Sequence, residues 1–229
     1  PCYHKHFKLI ERVLTCFLNN TYKPDQVIVS LNGCKYIPEN EINDFYLKYK
    51  NLFDDFLILK TFELLSRPKA RNICFEYIKN DIVCFSDSDD YEHPQRFEIV
   101  KYFFENKNID HLLHSYILSK CYNDKCNKCF LCSNNYENKF KIYDISKIDY
   151  CSKEIINKIN FPDDSIKPNV KSVLAFNKDC KQIMPVHGLV CIIKNVLDKI
   201  KFNELYLRGQ DSLFSQEVKN VSDTNTSTI

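Results

Sequence analysis

The stretch Asp81-Ile82-Val83-Cys84-Phe85-Ser86-Asp87-Ser88-Asp89-Asp90 changes character half-way along. Its first half is short, apolar and partly β-branched, the pattern of a buried strand. Its second half places three carboxylates within four residues, Asp87-Ser88-Asp89-Asp90. Like charges that close repel one another, so the cluster is costly unless a cation neutralises it. Oxygen donors suit hard ions such as Mg²⁺ or Mn²⁺, which bind through one or two carboxylates and complete their shell with substrate phosphates. A solvated turn ahead of a helix is the commoner reading of an isolated cluster, because Asp favours helix N-termini. What surrounds the stretch decides between them.

Upstream, Phe7, Ile10, Val13, Leu14, Phe17 and Leu18 recur at helical spacing, and Asn19-Asn20-Thr21-Tyr22-Lys23-Pro24 stops that helix. Val27-Ile28-Val29-Ser30-Leu31 reads as a second buried strand, with Gly33 as a turn. A helical pattern over 40–53, a strand at Phe56-Leu57-Ile58-Leu59 and a helix from Pro68 to Lys79 follow. Downstream, Pro94 opens a helix that runs through Phe104. Strands alternating with helices predict an α/β fold with parallel strands. Ligands in such sheets bind beyond the carboxyl ends of the strands, where both Asn32-Gly33 and the acidic cluster fall.

Beyond residue 110 the pattern weakens. Residues 120–170 are polar and cysteine-containing, and read as an insertion or an acceptor-facing region. A helix is expected over Val190–Ile200, another from Gly209-Gln210-Asp211 through Val218, and a flexible tail over 221–229. The 229 residues suit a single domain, with a nucleotide-binding half at 1–110 and an acceptor half at 111–220. A hydrophobic content of 44% supports a core, and a net charge of +2 argues against a nucleic-acid binder. No apolar run approaches the ~20 residues that span a membrane. Twelve cysteines without a visible secretory signal point to a reducing, cytoplasmic setting. The opening at Pro1, without a methionine, suggests an N-terminus further upstream.

Six segments, in order, resemble family-2-like glycosyltransferases of the GT-A type. Pro1-Cys2-Tyr3 is similar to that family's opening strand end, where a Pro and a nearby residue border the nucleotide. Thr21 through Gly33 looks like "Q-T-x-x-P-x-E-V-I-V-V-D-D-G", Ala70-Arg71-Asn72 like "A-R-N", and Ile82 through Asp90 like "I-V-x-F-L-D-x-D-D", with Pro94 where the family places a proline. Phe202-Asn203-Glu204 and Gly209-Gln210-Asp211 resemble "F-x-E" and "G-E-D". Two of the chain's three glycines, Gly33 and Gly209, lie in these segments, and the third, Gly188, follows His187.

The resemblance implies a GT-A fold, a mixed and mainly parallel sheet flanked by helices. It implies transfer of a sugar from a nucleoside-diphosphate donor, UDP-linked, to a hydroxyl of a glycan, protein or lipid-linked acceptor, with inversion. Pro1, Tyr3, Asn32, Arg71, Asp87, Ser88 and Asp89 would contact the donor, and Asp89 and Asp87 would hold Mn²⁺ or Mg²⁺. Asp90 would support the site or cap the following helix, and His187 could touch the phosphates. Asp211 would be the general base that takes the acceptor proton. Leu31, Asn32 and Gln210 stand where the family has acids, which puts the base contacts in doubt and leaves an inactive binding module as the alternative. Outside the resemblance, Cys121, Cys126, Cys129 and Cys132 give C-x4-C-x2-C-x2-C, a spacing suited to structural Zn²⁺ or simply to free thiols.

Overall fold

The computed structural model describes residues 1–107, 109–113, 142–147, 190–205, 213–214, 217–218 and 226–228. Its first layer grows from β2 (Gln26–Asn32), whose β-branched residues favour an extended, half-buried backbone. β2 pairs in parallel with β1 (Cys2–Tyr3) on one side and β3 (Asp55–Thr61) on the other. Parallel neighbours need crossovers, and α1 (Ile10–Leu18) and α2 (Glu39–Tyr49) supply them. Ile10, Val13, Leu14 and Phe17 of α1 pack with Val27, Val29 and Leu31 of β2 and with Ile42 and Phe45 of α2. Gly33 ends β2 at φ 81°, a left-handed conformation that glycine adopts without strain.

α3 (Arg67–Asn72) starts on a Ser66 cap that accepts from the Lys69 N–H at 3.4 Å, with Pro68 in its first turn. It is shorter than the expected Pro68–Lys79 helix, giving way to a 3₁₀ turn at Phe75–Tyr77. β4 (Ile82–Cys84), α4 (Arg96–Asn106), β5 (His111–Leu113), β6 (Val190–Ile193), α5 (Lys194–Leu197) and β7 (Thr226–Thr228) complete the described elements. The second sheet has the order β4-β6-β5-β7, antiparallel at both β6 edges and parallel between β5 and β7.

The helix expected over Val190–Ile200 is corrected here. Val190-Cys191-Ile192-Ile193 is a strand between β4 and β5, and only Lys194–Leu197 turns helical. A continuous apolar run carries neither the helical nor the alternating period, so the partners on its two edges decide. Thr226–Thr228, within the tail expected to be flexible, pairs with β5. Phe75, Val190, Ile192, Phe202 and Phe214 form the second core, in which the Phe202 and Phe214 rings stack 3.9 Å apart.

Candidate active site

The acidic cluster leaves the carboxyl end of β4 and is held there by a buried arginine. Arg96, on the first turn of α4, donates to the Phe85 carbonyl at 2.7 Å and to the Ser86 hydroxyl, and pairs with Glu92 at 2.7 Å. Arg96 and Glu92 are both buried, so a cation and an anion four residues apart neutralise each other inside the protein. The far side of the loop is tied to α1. The Asn20 amide donates to the His93 carbonyl at 3.2 Å, Thr21 N–H donates to the Pro94 carbonyl at 2.8 Å, and Arg12 donates to the Asp89 carbonyl while lying over the Tyr91 ring.

Within this frame Asp87 faces Arg71 of α3, whose guanidinium donates to Oδ1 at 2.9 Å. Arg71 is 2% exposed. Its Nε and Nη1 donors are buried with no partner among the described residues. Burial pulls its pKa down and Asp87 pulls it back up. The Pro1 nitrogen lies in the same neighbourhood. Asp89 is exposed, with its carboxylate 3.7 Å from His6 Nδ1. The Asp90 carboxyl is pushed up to about 7, by desolvation from the surrounding protein and then by Asp87, Glu92 and Asp89.

Pro1, Arg71 and Asp87 therefore meet, with Asp89 on the same loop. Ser88 is buried beside the Cys2 thiol, so it braces β1 against the loop. Tyr3 is half-buried against His4, with ring centres 4.2 Å apart. Asn32 stands at the end of β2 but is turned inward: its amide donates to the Leu65 carbonyl at 2.8 Å, and its oxygen accepts from Leu65 N–H at 2.7 Å. Asp211, Gln210, Gly209, His187, Gly188 and the four clustered cysteines lie outside the described residues.

The glycosyl transferase family 2 model matches residues 1–157, more than half of the chain. This chain belongs to glycosyl transferase family 2. Among curated proteins, it is 29% identical over 108 residues to the Escherichia coli UDP-Gal:alpha-D-GlcNAc-diphosphoundecaprenol beta-1,3-galactosyltransferase, a match covering 47% of this chain and 38% of that protein. Among solved structures, S. aureus TarS 1-349 in complex with UDP matches at a TM-score of 0.59 and 16% identity, over 100% of this chain and 58% of that one. The same TarS region in complex with UDP-GlcNAc matches at 0.59 and 17% identity, over 100% of this chain and 56% of that one. These likenesses give the chain the GT-A fold. The chain spans well under two thirds of the length of each of these relatives.

Several residues of this family 2 site escaped the sequence reading. Arg96 and Glu92 were detectable as an i,i+4 pair of opposite charge, but such pairs are usually exposed and nothing in the spacing announces burial. Arg12 and His6 reach the loop only through the fold. Asn72 donates to the Glu204 carboxylate at 3.0 Å and exchanges two hydrogen bonds of 2.9 Å with the Phe202 backbone, so it clamps Phe202-Asn203-Glu204 against α3. Two of the motif segments, far apart in sequence, are thereby joined.

Among the described residues no set of three or more His, Cys, Asp or Glu side chains is arranged to hold a metal. A cage made wholly of protein ligands therefore does not fit the described residues. A site with one or two carboxylates does, because Asp89 is exposed and a cation relieves the repulsion from Asp87, Glu92 and Asp89 that adds to desolvation in raising Asp90.

Proposed function

We propose that this family 2 domain transfers a sugar from a UDP-linked donor to an acceptor hydroxyl, with a divalent ion and with inversion. Arg71 carries this reading. A buried guanidinium with two donors that have no partner among the described residues, at the carboxyl end of a strand, is built to meet an anionic oxygen. Asp87 holds Arg71 in place, and the buried cation offsets the charge that gathers on the departing diphosphate. Asp89 and Asp87 are the residues that would hold Mn²⁺ or Mg²⁺, which when bound supplies a Lewis acid for that diphosphate. The UDP identity draws support from the uridine nucleotides named for the relatives. The acceptor is a glycan, protein or lipid-linked hydroxyl, and Asp211 is assigned the proton removal by its place in the Gly209-Gln210-Asp211 segment.

A thermal-shift panel of nucleoside diphosphates and UDP-sugars, with and without Mn²⁺, tests this directly. A ligand at 100 times its dissociation constant stabilises the fold by about 2.7 kcal/mol. UDP with Mn²⁺ is expected to raise Tm, and Asp89→Ala to remove the Mn²⁺-dependent part while leaving the unliganded Tm unchanged. No shift with any uridine nucleotide overturns the donor assignment, and unchanged affinity in Asp89→Ala overturns Asp89 as a ligand.

The four cysteines are proposed to hold one structural zinc that secures the acceptor-side insertion, a reading that rests on their spacing alone. Elemental analysis of protein prepared without chelator is expected to give about one zinc per chain, lost in the Cys126→Ser/Cys129→Ser double variant. Zinc-free protein from such a preparation retires the idea.

A further inference from the structure

Two cysteines that the donor site does not use face each other beneath the acidic loop. Cys84 ends β4 and stands opposite Cys191 of β6 in the antiparallel register. The flanking hydrogen bonds fix what kind of pair this is. Phe85 N–H donates to the Val190 carbonyl at 2.8 Å, and Lys194 N–H donates to the Asp81 carbonyl at 2.7 Å. In an antiparallel ladder, pairs that exchange backbone hydrogen bonds alternate with pairs that do not. Counting inward from both ends makes Cys84–Cys191 a pair without backbone hydrogen bonds. The other edge of β6 agrees: Ile193 N–H donates to the Asp110 carbonyl at 2.9 Å, so Ile193 and Cys191 turn their backbone groups toward β5. Pairs of this kind hold their Cα atoms about 4.5 Å apart, with both side chains on one face of the sheet.

The two sulfurs meet on that face. Both are free thiols; Cys191 is fully buried and Cys84 half-buried. The Cys191 thiol donates to Cys84, which draws the Cys84 pKa down, and the Arg96 cation adds to this. Burial holds the Cys191 thiol well above its ordinary range. Arg96 also reaches Cys191, so the guanidinium that grips Phe85, Ser86 and Glu92 rests on one of the two sulfurs. A Cα separation of about 4.5 Å lies within the range that a disulfide bridges, roughly 4.4–6.8 Å, but at its short end. Strained disulfides are the readily reduced ones, suited to a reversible bond rather than a permanent staple.

We propose that Cys84 and Cys191 form an oxidative modification site, a dithiol that peroxide closes to a disulfide, that thiol reductants reopen, and that loosens the acidic loop when closed. The consequence for donor binding rests on the function proposed above; the bond itself does not. Cys84, the more exposed and more acidic thiol, reacts first. Its sulfur attacks one peroxide oxygen, the O–O bond breaks, and the departing hydroxide takes the thiol proton as water, leaving a sulfenic acid. The Cys191 sulfur then attacks Cys84 Sγ, the S–O bond breaks, and the hydroxide leaves with the Cys191 proton as a second water. Two thiols lose two electrons and one peroxide gains them. The new bond draws Cys191 Sγ toward Cys84 and away from Arg96, and a buried guanidinium that loses a partner grips the loop less firmly.

Assignment among twelve cysteines is unambiguous, because the tryptic peptides 80–96 and 182–194 carry one cysteine each, Cys84 and Cys191. The chain is treated with hydrogen peroxide, quenched with catalase, alkylated and digested without reductant. The cross-linked pair of these peptides is expected as the main disulfide, lost after dithiothreitol. Hydrogen exchange over residues 85–90, read without nucleotide, is expected to quicken at least about threefold on oxidation and to recover on reduction. Cys84→Ala keeps the Cys191 contact with Arg96, so its exchange is expected to stay slow with or without peroxide. The comparison of one chain before and after reduction needs no variant to fold. Oxidation of Cys84 without the cross-link, or unchanged exchange over 85–90 once the cross-link has formed, overturns the proposal. UDP affinity with Mn²⁺ is measured on both forms and is expected to fall at least about threefold on oxidation. A reduced chain that binds no uridine nucleotide overturns the donor reading instead, and leaves the cross-link and exchange results to decide this one.

Discussion

Asp90 carries a pKa pushed up to about 7, against about 3.9 for a free aspartate, so between those values the folded chain holds a proton that the unfolded chain has released. Stability therefore falls as pH rises through that window, the opposite of the usual effect of a salt-bridged carboxylate. Glu92 is shifted in the same direction by its burial and adds to the same slope. The Asp90→Asn variant is expected to gain stability relative to the parent at pH 8 and little at pH 4, measured by urea unfolding without nucleotide or metal. A parent-minus-variant difference that is flat with pH would show that Asp90 titrates as an ordinary surface acid. Residue identities announced this cluster in the sequence. What they could not show is the division of labour inside it: Asp87 is tied to Arg71, Asp89 lies open beside His6, and Asp90 is crowded by its neighbours.

The loop between β4 and α4 is anchored on its inner side by one buried ion pair, Arg96 with Glu92. Removing a single partner of such a pair leaves an uncompensated charge and costs about 3–5 kcal/mol, while replacing both by apolar groups of similar size is often neutral. Arg96→Met is therefore expected to destabilise the protein by that amount, and Arg96→Met with Glu92→Leu to recover most of the loss. Urea midpoints of the two single variants and the double variant check this; additive losses would mean that the two side chains act separately. β2 was readable at this scale because its β-branched run ends at a glycine turn. β6 was not, because Val190-Cys191-Ile192-Ile193 has no polar residue to mark a period, and only pairing with β4 and β5 makes it a strand.

Transfer requires the donor half and the acceptor half to act on one hydroxyl, so its test belongs to the whole molecule. A hydroxyl is a poor nucleophile at neutral pH, and a positioned carboxylate that takes its proton typically contributes ~10²–10⁴ in rate. Asp211→Asn keeps size and capping ability but cannot accept the proton. Its kcat is expected to fall within that range, about 3–5 kcal/mol of barrier, with UDP affinity nearly unchanged. Weakened UDP binding with kcat preserved would make Asp211 a binding or capping residue. Glu204 would then be examined next, since Asn72 already holds it at 3.0 Å against the helix that carries Arg71.

The sequence by itself determined the βα alternation of the first half and the placement of three carboxylates where β4 ends. Both are local: strands and helices announce themselves by period, and the acids fall within four residues. The tertiary structure decided what no local pattern encodes. It buried Arg71 with two donors that have no partner among the described residues, turned the Asn32 amide into the loop at Leu65, and used Asn72 to join residues 202–204 to α3. Those features arise from contacts between residues distant in sequence, and their energies depend on burial, which exists only once the chain has folded.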